Sequence, residues 1–536
     1  MKHWKKHLSL LLALLMAVSA FAVPVSAVET EATGASFRET AQHRFYQAVD
    51  GLIVGLGAVL NALIPGKNWV GQVSRLKDYT AEQFYPGEER FDRSPEEDAV
   101  WRMGFSSASF LTNIDPKDGS YYIAGSLSAT KGAVPQNVAD DQGVNTFALS
   151  DGKTTVVHAS VDGFGLTRGD VREIRSRLAD FAKQNGVDAI NVAALHQHSC
   201  LDTLGLGAPI VPALLVNPTD ILFGGKHLVV GRNPAFMEEL YRAVTKTVTE
   251  AVDSMSEGTL YYGNVDISEH ICDKRDPQAF DGLFHRLRFV PADKNKNEIW
   301  VGQTCIHPVT VPDGTLSADY PHYLERYVAD HTGADFVFLQ GAELAISSFG
   351  NTFSYDQNGG PTARAAAMGE TLGKKFAAIE REEALPALLH VALREVTVPV
   401  KNPIHVIAGR EGLLASVMCR KGLGYAVITE LGYMELGGKL GVALVPGEIE
   451  PAILWGGAQT KEGSWTGKTW DYAPWAQTCG AERLICIGLC NDQIGYILCD
   501  NDYRSMLTEN EEINAVSSTV GSQMTEAFEA LIDQIK

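Results

Sequence analysis

The sequence has few basic residues and few cysteines, and it contains no repeated or low-complexity segments. Its 45 lysines and arginines are outnumbered by 65 aspartates and glutamates, which gives a formal net charge of −20. Such acidity argues against nucleic acid as a partner. The eight cysteines lie mostly inside apolar, strand-like runs, which favours buried thiols over disulfides. With no linker rich in proline, serine or glycine, we expect one large domain.

The first residues have the pattern of a cleaved export signal. Lys2, Lys5 and Lys6 precede the apolar run LSLLLALLMAVSAFAV, and small residues at 25–27 suit a signal peptidase. The run is too short for a comfortable membrane span, and no nearby cysteine indicates lipidation. We therefore expect residues 1–27 to be removed, the protein to be secreted, residues 28–99 to form an N-terminal extension and residues 100–536 to form the main domain.

An apolar, glycine-rich stretch at 45–64 predicts a helix within that extension. Asp50 and several glycines weaken it as a membrane-spanning segment. Three alternatives stay open for this helix: it packs on the main domain, it caps a substrate channel, or it makes a peripheral contact with a membrane surface. Packing is the simplest of the three.

From about residue 100, strand-like apolar runs alternate with amphipathic helices. The segment 167–186 carries Val171, Ile174 and Leu178 at helical spacing, and Gly186 is placed to end that helix. Asn233 and Pro234 provide a cap and a first turn for the next helix. Further helices are predicted at 321–332, 361–382 and 510–535, and strands at 153–161, 187–195, 298–306, 335–340, 439–445 and 483–490. This pattern predicts an α/β fold with mixed β-sheets covered by helices.

Several apolar runs end at a residue that can bind a metal or carry out chemistry. These residues are His196 and His198, His307, Ser347, Glu448 and Tyr496. Ligands bind beyond the carboxyl ends of strands in open α/β sheets, so these distant positions can converge there.

The spacing of His196 and His198 allows both imidazoles to face one centre, because residues i and i+2 of a strand point the same way. An isolated HxH pattern does not by itself indicate a metal site. Together with His307 and Glu448, it matches the ligand types of a hydrolytic zinc site, which uses histidines and a carboxylate and keeps one position open.

Five short blocks, in order, resemble the signature of the N-terminal catalytic domain of the neutral/alkaline, non-lysosomal ceramidases. They are HQHS at 196–199, CIHPVTV at 305–311, LSADYPHYLE at 316–325, VPGE at 445–448 and GLCNDQIGYI at 488–497. The resemblance covers roughly residues 100–535. It implies a Zn²⁺ site held by His196, His307, Glu448 and Tyr496, and catalytic roles for His198, Arg275 and Ser347.

Each implied role has an alternative. Tyr496 can be a core aromatic, and Arg275 can pair with Asp273 or Asp276. Cys200 and Cys305 lie close to the histidines, but their apolar neighbours favour inert packing over a ligand role.

The chain also departs from the family pattern. Where the family has GDVSP or GDINP, residues 344–348 read LAISS, which leaves the part played by Ser347 open. Some thirty largely apolar residues follow HQHS, and we expect Leu204–Val230 to help hold an acyl chain. The chain ends shortly after the last block, so we expect no C-terminal immunoglobulin-like domain.

The resemblance implies a secreted, zinc-dependent amidohydrolase that cuts the N-acyl amide bond of ceramide-like lipids by activating water. His198 would then give a proton to the leaving amine, and Arg275 would stabilise the oxyanion. Two alternatives remain: a zinc hydrolase of another small acyl amide, peptide or ester, and a non-catalytic lipid-binding or envelope protein. The sequence indicates no oligomeric state.

Overall fold

Strands dominate the computed structural model, which describes residues 44–55, 59, 76–125, 133–207, 231–348, 352–411, 418–422, 424–506 and 512–536. In these ranges the strands are β1 (Trp101–Ser109), β2 (Asn137–Val138), β3 (Gly143–Ser150), β4 (Thr155–Val161), β5 (Ala189–Ala194), β6 (Ser256–Asp266), β7 (Ile271–Asp273), β8 (Leu283–Pro291), β9 (Ile299–Thr304), β10 (Thr315–Leu316), β11 (Asp335–Gln340), β12 (Ile346–Ser348), β13 (Glu382–Ala384), β14 (Leu389–Val400), β15 (Met418–Lys421), β16 (Gly424–Leu436), β17 (Leu440–Leu444), β18 (Glu448–Ile449), β19 (Arg483–Ile487) and β20 (Tyr496–Ile497).

The helices of the described main domain are α1 (Arg168–Arg177), α2 (Ala179–Asn185), α3 (Pro234–Asp253), α4 (Asp319–Thr332), α5 (Ala363–Ala377), α6 (Pro403–Glu411), α7 (Pro451–Trp455), α8 (Trp475–Cys479) and α9 (Val520–Ile535). Short 3-10 turns cover Leu76–Asp78, Ser268–His270 and Glu512–Asn514. Residues 44–55, ahead of the main domain, are also helical.

Two large mixed sheets organise the domain. The nine-stranded sheet runs β11-β9-β8-β6-β1-β3-β4-β5, with β13 paired to β6. The five-stranded sheet runs β14-β16-β17-β19, with β15 paired to β16. The pairs β4–β5, β9–β11 and β17–β19 are parallel, so their carboxyl ends point the same way. The predicted class of mixed sheets covered by helices is confirmed.

The sheets pack face to face, and helices cover their outer faces. One buried cluster joins Met103 and Val301 of the larger sheet to Val391 and Val442 of the smaller one. The clusters on the outer faces draw on α1 to α5 against the larger sheet and on α7 to α9 against the smaller one. Because both faces of the larger sheet are covered, β4, β5 and β9 are buried along their whole length, in agreement with their largely apolar sequences.

The predicted elements lie where the hydrophobic periodicity placed them. The run 167–186, predicted as one helix, forms two, since α1 ends and α2 begins at Leu178; α2 ends at Gly186 in the left-handed conformation. Thr167 and Asp170 form a capping box at the start of α1. Asn233 caps α3, with its side chain accepting hydrogen bonds from the backbone of Ala235 and the next residue. The helix predicted at 510–535 is shorter, since α9 begins at Val520.

All eight cysteines are free, and seven are buried, which agrees with the expectation of buried thiols. Burial raises the pKa of the Cys200 and Cys305 thiols well above the usual range, so both stay protonated. Among the described residues, no helix has both the length and the apolar character needed to cross a membrane.

The helical segment 44–55 contacts the main domain. Ser505 donates a hydrogen bond to Asp50 at 2.8 Å, and the Tyr46 and Trp465 rings lie 6.4 Å apart. These contacts favour the packing alternative for this part of the predicted helix. The export signal, most of the remaining predicted helix and residues 208–230 of the predicted acyl-binding segment lie outside the described residues.

Candidate metal centre

The carboxyl ends of five strands, β5, β9, β11, β17 and β19, meet in one region. Backbone hydrogen bonds connect these strand ends, two of them within a sheet and two between the sheets. The bonds are Gly341 N to Thr304 O (2.9 Å), Gly488 N to Gln340 O (2.9 Å), Ala194 N to Leu489 O (3.2 Å) and Val445 N to Ile487 O (2.9 Å). The side chains that follow the strands are therefore brought together from positions far apart in the sequence.

His196 leaves β5 in the left-handed region, with φ of 62°, which is uncommon for a residue other than glycine. Its Nδ1 donates a hydrogen bond to the carbonyl oxygen of Phe164 at 2.7 Å. This bond orients the ring and leaves the lone pair on Nε2. That nitrogen lies 3.4 Å from Oε2 of Glu448.

His198 and His307 face each other, with 2.9 Å between their Nε2 atoms. The backbone holds His198 closely: its N–H donates to Pro308 at 3.3 Å, and its carbonyl accepts from Gly125 at 3.0 Å. A side chain at position 125 would place its Cβ 2.2 Å from the Cβ of His198, so this approach requires glycine.

Glu343 is the residue of this cluster that the sequence interpretation missed. It lies between β11 and β12, fully buried, with Oε2 3.7 Å from Nδ1 of His307. Gln340 donates a hydrogen bond to the same carboxylate. The signal was an acidic residue inside the apolar run DFVFLQGAELAI, directly after a buried strand.

The surroundings shift the pKa values of four groups in this cluster. Burial lowers the pKa of His196 and of His307 well below the usual range, so both rings are neutral and offer lone pairs. Burial, aided by the charge of Lys274, lowers the pKa of His198 to about 4. Burial and the charge of Glu448 raise the pKa of Glu343 well above its usual range. A divalent cation would offset the buried negative charge.

The described residues contain two overlapping groups that can hold a metal ion. One consists of three histidines, His196, His198 and His307; the other consists of His196, His307, Glu343 and Glu448, and within each the ligand atoms lie within 4.8 Å of one another. Two donors that are each about 2.1 Å from a shared zinc ion lie roughly 3.4 Å apart at the tetrahedral angle. The distance between Nε2 of His196 and Oε2 of Glu448, 3.4 Å, has this value, so these residues fit a shared metal ion.

Tyr496 lies beside Glu448. The two residues are direct partners in the parallel pair β18–β20, and the half-buried tyrosine also packs on the core of the smaller sheet. This placement brings Tyr496 next to one proposed ligand, and its own ligand role stays a prediction.

Arg275 lies in a buried ionic cluster. Its guanidinium pairs with Asp502, and both side chains are less than 10% exposed, at 8% and 5%. Its backbone N–H donates to Asp273, one of the two partners considered from sequence. The neighbouring Lys274 is the cation whose charge reaches His198 and His307. The contacts of Arg275 therefore favour a structural role, and its catalytic role stays a prediction.

Ser347 lies on β12, opposite Cys272 of β7. It follows Glu343 by four residues and stays a predicted active-site contact. Cys200 and Cys305 lie outside both metal-binding groups, and their thiols contact backbone carbonyls of Ser317 and Asp281. These contacts agree with inert packing.

The fold and the cluster together define an α/β protein with a candidate metal centre at converging strand ends. The chain has a neutral ceramidase-like fold. It matches the structure of neutral ceramidase from Pseudomonas aeruginosa with a TM-score of 0.57 and 13% identity, over 81% of this chain and 74% of that one. A ceramidase structure described as complexed with C2 matches equally well, over 81% and 75%. No protein-family model matches the chain, and neither does any curated protein.

Proposed function

We propose that this protein is a secreted, zinc-dependent amidohydrolase that cleaves the N-acyl amide bond of ceramide-like lipids. The observation that carries the proposal is the buried cluster of His196, His307 and Glu448 at the carboxyl ends of strands, on a ceramidase-like fold. The proposed ligands are these three residues and Tyr496.

The chain's own groups support hydrolysis. When bound, a zinc ion supplies Lewis acidity that activates water and polarises the carbonyl of the scissile amide. His198 is half-buried and faces His307, and its pKa of about 4 leaves it neutral near pH 7, so it can take a proton from the attacking water and pass it to the leaving amine. Phe164 orients His196 through its carbonyl oxygen and through a ring contact at 4.2 Å. Arg275 and Ser347 complete the proposed active-site residues.

The location and the lipid partner are part of the same proposal. The signal-like N-terminus supports secretion. Phe45 and Leu52 of the helical segment 44–55 are 63% and 62% exposed, which supports a peripheral contact with lipid. Co-sedimentation with neutral lipid vesicles tests this contact, and a Phe45→Ser/Leu52→Ser variant should sediment less.

Metal content and turnover together test the proposal. Purified protein should contain one zinc ion per chain and should hydrolyse N-acylsphingosine, and Glu448→Ala should lose both properties. His198→Ala should keep its zinc and lose roughly two to four orders of magnitude in turnover, the usual scale for a positioned acid or base. Equal zinc in wild type and Glu448→Ala would remove Glu448 from the site.

A series of N-acyl amides distinguishes the substrate classes. Each methylene that leaves water contributes about 0.8 kcal/mol, so four added carbons should raise kcat/KM by up to roughly two orders of magnitude. A flat profile below micelle-forming concentrations would favour a small-amide, peptide or ester hydrolase. Bound zinc without turnover of any acyl amide or ester would favour a lipid-binding protein.

A further inference from the structure

Glu343 is a buried acid without an evident structural purpose. Its side chain is fully buried in the segment between β11 and β12. It directly precedes residues 344–348, the segment in which the sequence departs from the ceramidase pattern. The set of zinc ligands implied by that resemblance contains no residue at this position.

The contacts of Glu343 leave one of its carboxylate oxygens unused. Oε2 accepts a hydrogen bond from Gln340 and lies 3.7 Å from Nδ1 of His307. Oε1 is buried and makes no hydrogen bond with any residue that the structure describes. A buried polar atom without a partner is costly, and a water molecule, an ion or a ligand can supply the missing partner.

One carboxylate oxygen of Glu343 faces the candidate metal centre. A carboxylate oxygen of Glu343 lies within 4.8 Å of a ligand atom on each of His196, His307 and Glu448. Two carboxylates so close together repel each other in a buried site, and a divalent cation between them removes this cost. The two glutamates also balance both charges of such an ion.

We propose that Glu343 is itself a metal ligand, so that His196, His307, Glu448 and Glu343 hold the ion. This inference rests on the proposed metal-dependent function and adds a second carboxylate to its site. The set has two nitrogen and two oxygen donors, which are types that zinc accepts. In this set Glu343 takes the place of Tyr496, which was proposed above as the fourth ligand and would then lie beside Glu448 without binding the ion.

Zinc affinity, measured without reference to activity, tests the proposal. Metal-free wild type, Glu343→Gln and Glu325→Gln are titrated with zinc in competition with a chromophoric chelator. Glutamine keeps the size of the side chain and can accept the hydrogen bond from Gln340. Glu325 is the control, since it is a half-buried glutamate that accepts a hydrogen bond from Asn145 at 3.0 Å and lies outside both metal-binding groups.

We expect Glu343→Gln to raise the dissociation constant for zinc by more than roughly 100-fold, beyond the range for a residue that only orients a ligand. Glu325→Gln should bind zinc as wild type does. An affinity of Glu343→Gln within threefold of wild type would overturn the inference. If wild type itself binds no zinc, the proposed function fails first.

A second measurement needs no variant. In a crystal structure of the zinc-loaded wild type, a carboxylate oxygen of Glu343 should lie about 2.0–2.2 Å from the metal. A shortest distance above roughly 3 Å would show that Glu343 is not a ligand, whatever the variant does.

Discussion

Replacing Arg275 by methionine separates a structural role from a catalytic one. The change removes the cation and keeps an apolar side chain, so Asp502 loses its buried partner while the packing is largely kept. Breaking a buried ion pair from one side usually costs 3–5 kcal/mol, because the remaining charge is desolvated and unpaired. We expect a loss of about 4 kcal/mol in the free energy of unfolding near neutral pH.

The loss in the free energy of unfolding caused by Arg275→Met should increase with pH. Burial and the charge of Asp502 raise the pKa of Glu450 to about 7, and Arg275 opposes that shift. Without the guanidinium, the pKa of Glu450 rises further above its unfolded value. The folded state then keeps a proton that the unfolded state releases, so the stability of the variant falls as pH rises. The difference from wild type should be larger at pH 8 than at pH 5.5.

Urea unfolding followed by tryptophan fluorescence measures both effects. Arg102→Met is the control, since Arg102 pairs with Glu257 on the surface, at 48% and 57% exposure, and should cost less than about 1 kcal/mol. The double variant Arg275→Met/Asp502→Leu should recover most of the loss. A loss below about 1 kcal/mol for Arg275→Met, together with a large fall in turnover, would refute the structural role and favour the catalytic one.

Three further outcomes are expected. Burial raises the pKa of Glu325 to about 7. As pH rises from 5 to 8, the free energy of unfolding of wild type should therefore fall by up to roughly 3 kcal/mol relative to that of Glu325→Gln. Parallel plots of this free energy against pH, measured by urea unfolding, would contradict this. Gly125→Ala should lower turnover and Tm, because its methyl group would meet His198 at 2.2 Å, and unchanged values would show that the backbone yields there. A thiol reagent should react with at most the half-buried Cys272 in the native protein and with all eight cysteines after unfolding without reductant, and a lower count would reveal a disulfide.

The elements of the fold were largely predictable because their signals are local. Apolar periodicity identified α1 to α5 within a few residues, and Gly186 and Asn233 marked helix ends through their caps. It also identified six of the strands, β4, β5, β9, β11, β17 and β19. The strand ends that carry His196 and Glu448 were predictable for the same reason, because each follows a largely apolar run. The fold class followed from the alternation of these runs with helices.

Only the tertiary structure decided which side chains meet. In the sequence, Glu343 lies in an apolar run and Arg275 in the charged segment KRDP. No local pattern indicates that Glu343 faces His307 or that Arg275 pairs with Asp502, 227 positions away. Which of the charges in KRDP approaches the histidines depends on how β7 pairs with β12, and it is Lys274 whose charge reaches them. Contacts between distant segments arise from the packing of two sheets and their loops, whereas a sequence pattern reports only how each segment divides its own side chains between core and solvent.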